Sequence, residues 1–249
     1  MKKFALLLSL LSLFACKKDN IEENSQPNSV THLISSIRYI DNPYNGGELL
    51  SRTDYEIDNT GKVISSTSID VNNPTISYTS QYEYYSDGRL KCQKMNGIVV
   101  RNVVWNNNVA SVFKNNRKIT ESTFSNNGLV TQVRGNFVRN NISTQTFRYD
   151  SNENLVSIAD DNGIYVEFLN YDLAKNNPLH LLKSLLPFLD YYSYSKNIFY
   201  TKKVYPSNDE DSVSPMMFYQ YHYTFDANGR VFEAHDDDSL IYIKKYEYR

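Results

Sequence analysis

Aromatic and polar residues alternate along much of this chain. In Phe218-Tyr-Gln-Tyr-His-Tyr-Thr-Phe225 a period of two puts Tyr219, Tyr221, Tyr223 and Phe225 on one side of a strand, and Phe218, Gln220, His222 and Thr224 on the other. The aromatic side is expected to face the core. Near the C-terminus Tyr242, Lys244, Tyr246 and Tyr248 align in the same way, with the lysine expected to reach out at a rim.

These alternating runs end in a recurring turn: aromatic-x-aromatic, polar residues, glycine, then Val or Leu. The copies are Tyr55-Glu-Ile-Asp-Asn-Thr-Gly61-Lys-Val63, Tyr82-Glu-Tyr-Tyr-Ser-Asp-Gly88-Arg-Leu90, Ser122-Thr-Phe-Ser-Asn-Asn-Gly128-Leu-Val130, Phe147-Arg-Tyr-Asp-Ser-Asn-Glu153-Asn-Leu155 and Tyr223-Thr-Phe-Asp-Ala-Asn-Gly229-Arg-Val231. A degenerate copy surrounds Trp105-Asn-Asn-Asn-Val109. Each reads as a β-hairpin in which Asp or Ser opens a turn and glycine supplies a left-handed residue. Where Glu153 replaces glycine, Asn152 or Asn154 is expected to take the left-handed position, because asparagine tolerates it better. Repeated hairpins without intervening helices predict an all-β antiparallel meander, strongly curved or closed as a barrel.

One segment breaks the pattern. Pro178 suits the first turn of a helix, Leu182, Leu185, Leu186 and Leu189 fall on one face, and Pro187 should end or kink the element. A short helix covering an open end of the sheet is expected here, with a return strand near Asn197–Tyr200. Insertion into a membrane is the weaker reading, because Lys183 is the one basic residue on the polar face.

The N-terminus changes the picture from fold to address. Lys2 and Lys3, an apolar run from Phe4, and Leu13-Phe14-Ala15-Cys16 suit cleavage before Cys16 and lipidation of its thiol better than a membrane-spanning helix. Residues 1–15 are therefore read as a signal peptide, 16–32 as the lipidated cysteine and a flexible polar tether, and 33–249 as a single β-repeat domain. A tether of about fifteen residues spans roughly 20 Å. Lys17 rather than aspartate after the cysteine points to the outer membrane, in either the surface or the periplasmic leaflet.

Two resemblances follow from these residues. The Tyr-x-Tyr/Phe-Asp-x-x-Gly-Arg copies resemble the YD repeats of RHS-type proteins. Together with the Leu-Phe-Ala-Cys16 lipobox, the Tyr171-Asp…Lys175-Asn-Asn-Pro178 segment and Ser195-Lys-Asn-Ile198, they make residues 33–249 similar to Gram-negative outer-membrane lipoproteins with a porin-like β fold. The resemblance implies fold and address, and carries no functional residues to this chain.

Removing the signal takes Lys2 and Lys3 with it, so the formal net charge of −2 becomes −4. A mildly acidic domain without a basic cluster argues against nucleic acid as a partner. With Cys16 lipidated, Cys92 is left alone and reads as a small core residue, since no histidine motif accompanies it. His32, His180, His222 and His235 show no metal-ligand spacing, and no cofactor or metal is implied. The acidic clusters Asn208-Asp-Glu-Asp211 and Asp236-Asp-Asp238 lack the spacing of a calcium loop and read as solvated turns.

With 21 tyrosines, the chain could pack its sheet with them or line a groove that stacks on sugar rings; packing is the expected role for most. The function reading is a non-enzymatic binding or structural lipoprotein with a glycan or polypeptide ligand. The alternative is a glycosidase-like hydrolase using dispersed carboxylates, which would place two of them across a pocket.

Overall fold

The computed structural model describes residues 31–39, 48–70, 73–138, 141–161, 163–189, 191–206, 215, 217–237 and 242–248. The first eight strands described are β1 (Thr31–Tyr39), β2 (Glu48–Ile57), β3 (Val63–Asp70), β4 (Ser77–Tyr84), β5 (Leu90–Met95), β6 (Ile98–Asn106), β7 (Val109–Lys114) and β8 (Arg117–Phe124). They are followed by β9 (Val130–Val138), β10 (Asn141–Tyr149), β11 (Leu155–Asp160), β12 (Gly163–Asn176), β13 (Asn197–Val204), β14 (Met217–Phe225), β15 (Val231–Asp236) and β16 (Tyr242–Tyr248). Each pairs antiparallel with its neighbours in sequence, and β1 also pairs with β16, so the meander closes into a barrel.

Strand direction alternates around an antiparallel ring, so alternate connections share an end. The five full turn copies join β2 to β3, β4 to β5, β8 to β9, β10 to β11 and β14 to β15, and therefore all lie at one end. The start of β1, the end of β16 and the long β12–β13 connection lie there too.

Three of the turns share one chemistry. Asp58 Oδ1 accepts the amides of Thr60 and Lys62, and the carboxylates of Asp150 and Asp226 do the same two and four residues on. Gly88 and Gly229 sit at φ +85° and +73°, in the left-handed region as expected. Beside each turn the ladder shifts register, between Glu56/Ile57, Glu83/Tyr84, Thr123/Phe124, Arg148/Tyr149 and Thr224/Phe225. Such a bulge leaves backbone groups outside the ladder.

Aromatic side chains satisfy those groups. The hydroxyls of Tyr84, Tyr149 and Tyr248 donate to the carbonyls of Val63, Val130 and Val231, the residues that follow three of the turns. Tyr171 does the same to Leu155, and the indole of Trp105 donates to the carbonyl of Leu90 at 2.9 Å. Much of the tyrosine excess is thus structural: one ring fills the barrel and its hydroxyl pairs a bulge carbonyl.

Asparagine does not take the left-handed position in the fourth copy. Glu153 itself lies at φ +66°. Asn154 is fully buried, accepts the amide of Asn197 at 2.9 Å and donates to Asp150, so its backbone and side chain are committed elsewhere. Glu153→Gly is therefore expected to stabilise the domain by about 0.5–1 kcal/mol, the relief of left-handed strain less the extra backbone entropy of glycine. A urea midpoint that rises with an unchanged slope is the expected result; a lower midpoint would contradict it.

The helical segment is shorter and tighter than its leucine pattern suggests. It forms a 3₁₀ helix over Pro178–Leu185, opened by Asn177, whose side chain accepts the Leu179 amide, and closed where Leu186 turns extended at ψ 132° ahead of Pro187. A residue before proline is pushed out of the helical region. Leu182 and Leu185 are buried as expected, whereas Leu186 and Leu189 are only partly covered. A second 3₁₀ turn spans Tyr191–Ser193 before β13 begins at Asn197, where the return strand was expected.

This connection plugs the turn-bearing end of the barrel. Leu182 and Leu185 pack with Ile57, Val63, Ile198 and Val231, while Tyr194 enters the larger cluster around Leu155, Ile158 and Phe168. Two of its serines accept bulge amides that the ladder leaves over, Ser184 from Val63 at 2.9 Å and Ser195 from Leu155 at 3.0 Å.

The outer face is charged. Cross-strand partners share a face, and Glu233 faces Lys245 with an ion pair of 3.2 Å, while Glu167 lies opposite Lys203. Arg52 pairs with Asp54, Lys94 with Glu83, and Glu121 lies opposite Arg134. A lipid-facing charge near the bilayer midplane costs about 2–4 kcal/mol for Arg or Lys, while apolar side chains such as Val104, Phe218 and Phe232 are exposed as well.

Candidate functional site

With the turn-bearing end plugged, what remains of the lumen lies on either side of the plug's Tyr191 and Tyr192, whose rings are 4.5 Å apart. On one side a cavity of about 220 Å³ opens between the plug and β13–β16, with Tyr192, Phe199, Tyr221, Ala234, Asp236 and Lys244 on its wall. On the other, about 380 Å³ is lined by residues that include Arg101, Gln145, Phe147, Phe188 and Tyr191. Inward-facing cations mark both. Arg101 lies over the Phe188 ring at 5.5 Å, and Lys202 and Lys244 converge on Tyr192.

The geometry around Tyr192 is the most developed. Lys202 is 8% exposed, donates to the Tyr192 hydroxyl at 2.8 Å and sits 4.2 Å from the Tyr219 ring centre. Lys244 approaches the Tyr192 ring at 5.2 Å. Burial pulls the Lys202 pKa below its ordinary value and nearby Lys244 pulls the same way, while Asp236 opposes both. Phe199 meets Tyr221 edge-on at 5.0 Å and stacks nearly parallel with Tyr192 at 6.4 Å. Desolvation pushes the Tyr221 hydroxyl well above its usual range, so it stays a neutral hydrogen-bonding group at any physiological pH.

The register explains how these side chains meet. Lys202 faces Tyr219 across β13–β14, Tyr221 faces Asp236 across β14–β15, and Ala234 faces Lys244 across β15–β16. Tyr219, Tyr221 and Tyr223 do point inward as their alternation implies. They are only partly buried because the lumen beside them is not filled, and Phe225, beside the turn, is exposed.

Several expectations need correction. Lys244 does not escape at a rim but points into the cavity, since it shares a face with inward Tyr246, which is 3% exposed. Asp236 is not a solvated turn residue; it closes β15 on the inner face, and Asp237 bonds His222 on the outer one. Cys92 is buried at 4% but on the outer side of the sheet, where its thiol faces Glu83 rather than the core. His222 and His235 stack at 5.1 Å, a proximity their sequence spacing hides, and no metal-ligating cluster occurs among the described residues. Cys16 and the 208–211 cluster lie outside the described residues.

No protein-family profile matches the chain, and no curated protein matches it. Among solved structures, a porin-like protein from Bacteroides uniformis ATCC 8492 superposes with a TM-score of 0.54 at 12% identity, covering 87% of this chain and 96% of that one. The fold is porin-like. At that identity the likeness concerns architecture alone, and the charged outer wall described above belongs to this chain's own residues.

Lys202 was the site residue least visible in the sequence. It lies in a Thr-Lys-Lys run that reads as surface, and an inward position follows only from its pairing with Phe168 and Tyr219. Lys244 had a signal in its alternation with tyrosines.

Proposed function

We propose that this protein is a lipoprotein tethered to the outer membrane through Cys16, with a barrel that stands in water and binds a small ligand in its lumen without converting it. The observation that carries the reading is a half-plugged lumen holding an unfilled 220 Å³ cavity with buried Lys202 and inward Lys244 beside it. Burying a lysine ammonium is costly unless something compensates it, and a ligand that does so gives the arrangement a purpose. The charged outer face supports a tethered barrel over a membrane-spanning one. A glycosidase would need two carboxylates across the cavity, and among the described lining residues the carboxylate is Asp236.

Two substitutions test the two halves of this reading. Cys16→Ala is expected to abolish incorporation of a fatty-acid probe and release the protein from membranes while leaving its melting temperature unchanged. Label retained by the variant would overturn the anchor. Ala234→Phe fills the cavity from its wall, and is expected to abolish any saturable thermal stabilisation that the parent gains from a panel of sugars, amino acids and short peptides. A parent that no panel member stabilises, or a variant that binds as well, would overturn luminal binding.

A further inference from the structure

Resting on that binding reading, we propose that the cavity between the plug and β13–β16 takes a carboxylated sugar ring, a uronate-type pyranose, with its carboxylate toward Lys244 and Lys202. Three features select this class. The first is charge: Lys244 and Asp236 stand on the cavity wall, and buried Lys202, 5.4 Å from the Tyr192 ring centre, adds a second ammonium just behind that wall, so the local field favours an anion and disfavours the cationic ligands that an aromatic box would otherwise attract. Lys202 is buried and bonded to the Tyr192 hydroxyl, which holds its charge in place before a ligand arrives.

The second is shape. At about 220 Å³ the cavity falls below the usual range for extended ligands and suits a single ring. Tyr192 and the partly exposed Tyr221 put aromatic rings on the wall, against which the C–H side of a pyranose packs, with buried Phe199 backing both.

The third is Asp236. A carboxylate in the wall of an anion site repels the ligand unless the ligand turns donors toward it. A polyhydroxylated acid does this, offering its hydroxyls to Asp236 and its carboxylate to the lysines. A fatty acid or a bare inorganic anion cannot. Asp236 faces Tyr221 across the β14–β15 ladder and Lys244 lies one strand further on, so the acceptor and the cation stand on one wall.

Calorimetric titration of the full chain in detergent tests the proposal with the methyl glycosides of glucuronate and galacturonate, methyl glucoside as the neutral arm and glucose 6-phosphate as the phosphate arm. A uronate is expected to bind about tenfold or more tightly than methyl glucoside, and more tightly than glucose 6-phosphate, whose dianionic phosphate on an exocyclic arm reaches beyond a single-ring cavity. Lys244→Met should weaken uronate binding about tenfold while Lys244→Arg largely retains it, and Lys202→Met should weaken it similarly. Circular dichroism and the melting temperature of each variant separate lost binding from lost folding. If Lys244→Met and Lys202→Met keep uronate affinity, or glucoside or the phosphate binds as well as the uronates, the assignment is overturned. Binding of a neutral sugar or peptide that Ala234→Phe abolishes would refute the uronate while leaving luminal binding intact; no binding by any ligand would refute both.

Discussion

Phe168→Ala is expected to destabilise the barrel by about 3–5 kcal/mol, the range for deleting a buried aromatic ring whose site cannot collapse. Phe168 is 1% exposed and joins three parts of the molecule: its ring on β12 lies 4.7 Å from Phe199 on β13 and 5.9 Å from Tyr191 on the plug. Removing the ring would take contacts from Phe199 and from Tyr191 at once. Equilibrium urea unfolding is the measurement. A loss under about 1 kcal/mol would mean that the plug relaxes into the gap and that the packing between wall and plug is not what fixes it.

Asn154→Leu is the second substitution with a large expected effect, about 2–3 kcal/mol, through hydrogen bonds rather than volume. Leucine has the same four-atom side chain branched at Cγ, though its methyl groups are bulkier, and it can neither accept the Asn197 amide nor donate to Asp150, where Asn154 is fully buried. An amide left unpaired in the interior costs about 1–3 kcal/mol beyond the lost bond. The same interaction ties the fourth turn to the start of β13, where the plug ends, and Ser195 bonds Leu155 next to it. Loss of Asn154 should therefore loosen the plug before the barrel. Limited proteolysis is expected to cut first within 177–196, and a variant cut elsewhere at the parent's rate would contradict the latch.

Much of this architecture was legible because hairpins are local. The Asp…Gly turns, the period-two aromatic runs and the absence of βαβ spacing pointed to an antiparallel meander, and each full copy is a hairpin in the structure. The fourth copy shows the limit of propensity. Glu153 adopts the left-handed conformation that asparagine tolerates better, because Asn154 is held by Asn197 of β13, 43 residues and one plug away. The leucine face of 178–189 located the plug, but the helix formed there is a 3₁₀ helix that stops at Leu185, because Leu186 precedes Pro187 and turns extended.

The candidate site was far less legible. The tyrosine count pointed mainly to packing and left a sugar groove as the weaker option, and a count cannot separate Tyr84 or Tyr149, whose hydroxyls satisfy bulge carbonyls, from Tyr192 and Tyr221, which wall the cavity. That separation depends on where each hydroxyl ends, and the partner carbonyl belongs to another strand. Lys202, Asp236 and Lys244 come from three strands and meet only because the wall curves until their inward faces converge.

The sequence by itself determined the hairpins, their turn chemistry and the alternation that sets which residues share a face, because these follow from contacts between residues a few positions apart. Closure of β1 onto β16, the entry of residues 177–196 into one end, and the inward lysines around Tyr192 were decided by tertiary structure. The physical reason is that bulge amides and carbonyls left over by each turn must find partners inside the barrel. Ser184, Ser195 and the long-reaching tyrosines supply them only once the ring has closed.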